Sequence, residues 1–183
     1  MTTKRRDKFN EEIRSNLFSG DESVALKAIH RCRDEGNATL VEPLIVFYAS
    51  DADVSLKKEV AALLSTLKVS KVEDYFLDGL KDPAMKHIRK DLIMFMWNSD
   101  IRPVDRLVDI TAVALDGNFE ETFECLTLIE NFEDPVPEEV LIENIAMIRQ
   151  HDVSNFSIEH KGLIHSYLNV LESMRVQDDL DAL

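Results

Sequence analysis

Apolar residues recur at intervals of three and four along almost the whole chain, which is the pattern of amphipathic α-helices. The spacing predicts helices that begin near Asp21 and Asn37, followed by helices over residues 54–67, 71–81, 84–98, 103–115, 118–132, 137–150 and 158–175. The breaks between them are short, as connections between packed helices usually are. No segment has the pattern of a β-hairpin or a βαβ unit. The sequence therefore predicts an all-α fold.

The predicted helices come in pairs with a repeating order of residue types. An acid before the first helix is followed by an apolar–basic dipeptide, at Asp21 and Leu26-Lys27, at Asp51 and Leu56-Lys57, and at Asp82 and Ile88-Arg89. The second helices align at Val41-Glu42, Val72-Glu73, Val104-Asp105 and Pro137-Glu138, at steps of 31, 32 and 33 residues. Four matches at a nearly constant step indicate a tandem helical repeat.

The pattern resembles HEAT and HEAT-like repeats of the armadillo type over roughly residues 20–152. The resemblance rests on Leu40-Val41-Glu42-Pro43-Leu44-Ile45, on Asp51-Ala52-Asp53, and on Leu56-Lys57 with Val60, Ala61 and Leu64. The short period is closest to compact bacterial members of the family. The resemblance implies a right-handed α-solenoid of about four helix pairs, with residues 158–175 as a C-terminal capping helix.

The resemblance also implies a structural ladder in which an Asp between helices pairs with a following base. Carried over to this chain, the ladder is Asp21/Lys27, Asp51/Lys57 and Asp82/Arg89. The fourth unit departs from it, because Phe123-Glu124 puts an acid where the base belongs. The domain organisation that follows is an N-terminal segment over 1–19 that is partly helical or frayed, one repeat domain over 20–176, and an acidic tail over 177–183.

The charge of the chain is concentrated in its second half. The sequence has 35 acids and 21 bases, net −14, and all of this excess lies in residues 98–183, with 19 acids and 5 bases. Between Arg106 and Arg149 there are eleven acids and no base. Such a balance argues against nucleic-acid phosphate as a partner. It fits either a solubilising surface or a face that meets a basic partner.

One set of acids occupies the same place in four successive second helices: Glu42, Glu73, Asp105 and Glu138. An acid in the first turn of a helix is stabilised by the helix dipole, which is a sufficient structural reason for acids there. The functional interpretation is that second helices line the concave surface of the solenoid. This carboxylate column is then a partner-binding stripe, which Asp109 and Glu143 on later turns would widen.

The sequence shows none of the common motifs that are typical of catalytic sites. It lacks GxGxxG, GxxxxGK[ST], GxSxG and HExxH motifs, and its five histidines form no i, i+4 pair. Cys32 and Cys125 are far apart, without a CxxC spacing, and Cys32 fits a core position. Trp97 follows a run of apolar residues that fits either a buried helix or an exposed binding anchor. The sequence predicts no catalytic residue, no metal site and no cofactor.

The leading functional hypothesis is a non-catalytic scaffold or adaptor that binds another protein or peptide, with a basic segment favoured by the acidic face. Two alternatives remain. One is a HEAT-like enzyme related to DNA glycosylases or bilin lyases, although a glycosylase needs a basic groove for its substrate. The other is a structural protein that self-associates as a homo-oligomer. A charged N-terminus without an apolar stretch after it, and apolar runs of at most six residues, predict a cytoplasmic protein away from membranes.

Overall fold

A computed structural model describes the backbone of residues 3–35 and 37–181 and the side chains of residues 6–35 and 37–175. The regular secondary structure of this part of the chain is helical, with ten α-helices and no β-strand. The all-α prediction is confirmed. The side chains of the predicted acidic tail, residues 177–183, lie outside the described residues. The chain divides into two compact units, Met1–Ile88 and Arg89–Leu183, here called the first and second unit.

The first unit contains five α-helices. They are α1 (Thr3–Leu17), α2 (Glu22–Glu35), α3 (Val41–Ala49), α4 (Val54–Leu64) and α5 (Glu73–Lys81). Helix α1 packs on α2, α2 on α4, and α3 on both α4 and α5. The interior of the unit is built from large side chains on each helix, such as Leu17, Ile29, Leu44, Leu64 and Phe76, all at most 2% exposed. Successive apolar positions on each helix therefore bury one stripe against a neighbouring helix.

The second unit also contains five α-helices. They are α6 (Arg89–Asn98), α7 (Leu107–Asp116), α8 (Phe119–Glu130), α9 (Glu138–Gln150) and α10 (Ile158–Asp181). Helices α6, α8 and α10 pack in succession, and α7 packs on α8 and α9. Helix α10 also packs on α9, and its Tyr167 and Leu171 are fully buried. Helices that alternate in the chain thus form two layers within this unit.

Several predicted helices differ in their first turn. The helix predicted from near Asn37 begins with a 3₁₀ segment (Ala38–Leu40) before α3, and residues 103–115 begin with one (Val104–Arg106) before α7. Residues 84–98, predicted as one helix, begin with a 3₁₀ segment (Pro83–Ile88) before α6 starts at Arg89. The Asp82 carboxylate accepts a hydrogen bond from the Ala84 N–H at 2.9 Å, which fixes the tight turn at Pro83. In the N-terminal segment, which was predicted as partly helical or frayed, Thr3–Leu17 form the helix α1. Ile13 and Leu17 are buried and α1 packs on α2, which stabilises α1 although its first turns are polar.

Among the described helices, none combines the length and the apolar character that crossing a bilayer requires.

Candidate functional site

A groove in the first unit lies between α3 and α5, the second helices of two successive predicted pairs. Its volume is about 140 Å³, and three carboxylates line it, from Glu42, Asp78 and Asp82. The apolar part of its lining comes from Ile45, Val46, Met85, the ring of Tyr75 and the small Gly79. The groove therefore combines an apolar lining with a concentration of negative charge.

The carboxylates stand at opposite ends of their helices. Glu42 is in the first turn of α3, where the helix dipole favours an acid. Asp78 is in the last turn of α5 and Asp82 is its C-cap residue, where the same dipole disfavours a negative charge. Asp82 has a local role, because it accepts the Ala84 N–H. The exposed Asp78 side chain makes no hydrogen bond or ion pair with any residue whose side chain is described, so local stability does not explain its charge.

Two contacts hold the groove in shape. The Arg14 guanidinium on α1 donates to Glu42 Oε1 at 2.9 Å, and both side chains are about half exposed. His87 Nε2, in the 3₁₀ segment, lies 3.0 Å from the Ala49 carbonyl oxygen at the end of α3 and donates to it. The second contact fixes the segment that carries Met85 beside α3. Arg14 partly neutralises one of the three carboxylates, and the described side chains form no ion pair with Asp78 or Asp82.

The other members of the predicted carboxylate column have separate environments. Glu73 is the first residue of α5 and is half-buried. Asp105 is exposed in a 3₁₀ segment (Val104–Arg106) that precedes α7. Glu138, at the start of α9, accepts a hydrogen bond from Arg175 Nη2 at 3.2 Å. Each of these acids lies at or near a helix start, which agrees with the dipole argument for the column.

The two residues that were predicted to widen the column lie on helices that pack together in the second unit. Asp109, on α7, forms an ion pair with Arg106 Nη2 at 2.7 Å. Glu143, on α9, is exposed and has no ion-pair partner among the side chains that the structure describes. The structure thus brings Glu42 and Glu73 onto neighbouring helices of the first unit, and Asp109, Glu138 and Glu143 onto neighbouring helices of the second.

Among the predicted ladder residues, Asp21 acts at a helix start. Asp21 caps α2 by accepting the N–H groups of Ser23 and Val24. At α4 the capping residue is Asp53, two positions after Asp51. None of the ion pairs described for residues 6–35 and 37–175 joins Asp21 to Lys27, Asp51 to Lys57 or Asp82 to Arg89. Arg89 instead forms a pair with an acid 32 residues further along the chain.

That pair belongs to a set of polar contacts between α6 and α8 that was not predicted from the sequence. Arg89 Nε and Nη2 donate to the two oxygens of Glu121 at 2.7 and 3.2 Å, and both side chains are buried. Beside them, Lys90 pairs with Glu120 at 3.1 Å, exposed to solvent. Glu121 also accepts the Asn118 N–H at 2.7 Å in a capping box. The sequence signal that identifies such a box is Asn118 followed three residues later by Glu121.

Trp97 joins the same interface. Its Nε1–H donates to Glu124 Oε2 at 2.9 Å, and the ring is partly buried. Glu124 is the acid at the position where the fourth predicted repeat was expected to have a ladder base. The hydrogen bond from the Trp97 indole on α6 gives this acid a structural role.

The acid-rich segment between Arg106 and Arg149 is largely paired inside the second unit. Seven of its eleven acids accept a hydrogen bond or form an ion pair: Asp109, Glu120, Glu121, Glu124, Glu133, Asp134 and Glu138. All seven Lys and Arg residues of this unit already have an acceptor within it, including Arg149 on Glu172 and Lys161 on the Ser154 carbonyl. The unit has twenty acids for these seven bases. Its excess negative charge therefore has no internal cation left to neutralise it.

The thiols and histidines do not assemble a reactive centre among the described residues. Burial raises the pKa of Cys32 to about 12 and raises that of Cys125 further, so both remain protonated thiols at neutral pH. His160 Nε2 lies 2.7 Å from Thr122 Oγ1, and the ring stacks on Phe156 with centroids 4.1 Å apart. Desolvation lowers the pKa of His160. The described residues contain no group of three His, Cys, Asp or Glu side chains arranged to hold a metal ion.

Comparison of the chain with protein-family models, with curated proteins and with solved structures gives no match.

Proposed function

We propose that this protein is a non-catalytic helical-repeat scaffold that binds a basic segment of another protein. In this proposal the chain is a HEAT-like right-handed α-solenoid with α10 as its capping helix. The repeat register of the sequence supports it. Within the second unit, the succession α6, α8 and α10 beside α7 and α9 is the packing expected of stacked helix pairs.

The observation that carries the proposal is the acidic groove between α3 and α5. Asp78 and Asp82 put negative charge at the C-terminal end of α5, where the helix dipole adds to the cost. Residues whose charge opposes the helix dipole in this way are expected at functional positions. A Lys or Arg side chain in the groove relieves the repulsion with its charged head and packs its methylene groups on Val46 and Met85.

The charge of the second unit supports a basic partner independently. Its seven bases are all engaged within the unit, and its surplus of acids raises the local concentration of cationic segments. An encounter that is steered by charge is fast at low salt and slows as salt is added. The charge of the second unit therefore favours a cationic partner over an anionic one.

The test is binding of a fluorescein-labelled peptide composed of Leu, Ser, Lys and Arg, measured by anisotropy at several salt concentrations. The groove variant Glu42→Gln, Asp78→Asn, Asp82→Asn removes three charges while keeping side-chain size. Each exposed charge pair contributes up to about 1 kcal/mol, so we expect the affinity to fall by roughly tenfold or more. A matched peptide with Glu in place of Lys and Arg is expected not to bind.

The control variant is Asp34→Asn, Glu35→Gln, Asp51→Asn, which removes the same charge from exposed acids of the first unit that lie outside the groove. We expect it to lower the affinity only slightly. Equal losses in the two variants would assign the binding to bulk charge and remove the groove as the site. Failure of the basic peptide to bind the parent protein would overturn the proposal.

A further inference from the structure

A second cavity in the first unit lies where the end of α1 and the end of α3 meet the starts of α2 and α4. Its volume is about 310 Å³, more than twice that of the acidic groove. This volume is at the lower end of the range for small-molecule sites. The cavity opens beside the C-terminal end of α3, whereas the acidic groove involves Glu42 at its N-terminal end. The two features are therefore separate sites on the same unit.

The floor of this cavity is apolar and well packed. Leu17, Ala25 and Phe47 line it and are at most 4% exposed, so the floor is fixed by the core. Phe18 forms a wall and is 44% exposed, with its ring at 5.5 Å from Phe47 in an edge-on arrangement. A large aromatic side chain that remains exposed at the mouth of an apolar cavity offers contact area to a ligand.

The rim of the cavity carries three carboxylates. Asp21 and Asp53 cap α2 and α4, and the hydrogen bonds described for both are accepted by Oδ1. Their Oδ2 atoms remain for another donor. Glu22 is exposed and forms no ion pair with the side chains that the structure describes. Among the residues that the structure describes, no Lys or Arg belongs to the lining. The cavity thus places carboxylates that have no described ion pair around an apolar floor.

We propose that this cavity binds a small organic cation with an apolar body, such as an arylalkyl ammonium compound. The hydrocarbon part packs on Leu17, Ala25 and Phe47, and the ammonium group donates to the Oδ2 atoms of Asp21 and Asp53. The exposed face of Phe18 adds a cation–π contact. This inference is independent of the proposed scaffold function, because it uses other residues and another class of ligand.

The test is titration of the protein with 2-phenylethylamine, followed by ¹H–¹⁵N NMR. We expect saturable shifts at the amides of Ala25, Phe47 and Leu56, which line the cavity. The neutral analogue 2-phenylethanol is expected to bind about tenfold more weakly, and 3-phenylpropanoate not at all. Equal binding of the amine and the alcohol, or shifts that do not saturate, would overturn the proposal.

The variant Asp21→Asn, Asp53→Asn keeps both helix caps, because Asn caps a helix about as well as Asp. It is expected to weaken binding of the amine about tenfold and to leave binding of the alcohol unchanged. Asp51→Asn, an exposed neighbour outside the lining, is the matched control and should have no effect. An unchanged affinity in the double variant would refute the role of the rim. Tighter binding of an acetylated Lys-Phe amide than of the free amine would refute a free small molecule as the occupant.

Discussion

Breaking one side of the buried pair of Arg89 and Glu121 should strongly destabilise the second unit. Glu121→Gln keeps the size of the side chain and an oxygen for the Asn118 N–H, but it leaves the Arg89 charge buried without a counter-charge. The two side chains are only 10% and 4% exposed, so solvent screens the loss little. Breaking one side of such a pair costs about 3–5 kcal/mol in unfolding free energy.

Urea denaturation followed by tryptophan fluorescence measures this loss in the correct unit, because Trp97 is the only tryptophan and lies on α6. With a slope of roughly 1–3 kcal/mol per molar urea, the midpoint should fall by at least about 1 M. Glu120→Gln is the matched control, since it breaks a pair between the same helices that is 44% and 68% exposed. Its cost should be at most about 1 kcal/mol. Equal losses in both variants would refute the claim that burial makes the pair of Arg89 and Glu121 costly to break.

A second substitution separates the charge from the packing. The double variant Arg89→Met, Glu121→Leu removes both charges and fills the same region with apolar atoms. Replacement of a whole buried pair is often neutral, whereas removal of one partner is not. The double variant should therefore be more stable than Glu121→Gln alone. A greater loss in the double variant would mean that the capping role of Glu121 outweighs its charge.

Two further predictions concern α10. Burial holds the pKa of His160 in the folded protein below its usual value, so the stability that the neutral imidazole contributes is present above about pH 6.5. This stability is lost as pH falls towards the lowered pKa, by at most about 1.4 kcal/mol per pH unit. Denaturation of the parent and of His160→Gln between pH 7 and 5 measures the loss, and identical pH dependences of the two unfolding free energies would contradict the prediction. Deletion of residues 158–183 removes the helix that packs on α8 and α9, so apolar side chains such as Leu141 and Ile148 should become accessible. We expect the truncated protein to bind a hydrophobic dye strongly. A truncated protein that binds no more dye than the parent would refute the capping role of α10.

The helices were predictable because their signals are local. The spacing of apolar residues and the caps at Asp21, Asp53 and Asn118 are read within one or two turns. The 3₁₀ segment at Pro83–Ile88 was missed because the apolar spacing continues through it into α6. The hydrogen bond from the Ala84 N–H to Asp82, which fixes that turn, is a detail of backbone geometry that the periodicity does not record.

The polar contacts between helices were not predictable from local patterns. Arg89 and Glu121 are separated by 32 residues, and several acids stand near the right distance along the sequence. Only the packing of α6 on α8 selects the partner. The groove was found in part, through Glu42, but Asp78 and Asp82 were not among the predicted binding residues. Their signal was available: Asp78 is in the last turn of α5 and Asp82 is its C-cap residue, where the dipole disfavours a negative charge.

The most direct measurement of the central claim is paramagnetic mapping of the bound basic peptide. A nitroxide attached to the peptide broadens the NMR signals of nearby amides in the complex. The account predicts selective broadening at residues 42–46 of α3 and 75–82 of α5 and its C-cap, lost in the variant Glu42→Gln, Asp78→Asn, Asp82→Asn. Broadening that spreads evenly over the acidic surface, or that persists in this variant, would contradict the claim that the groove between α3 and α5 is the binding site.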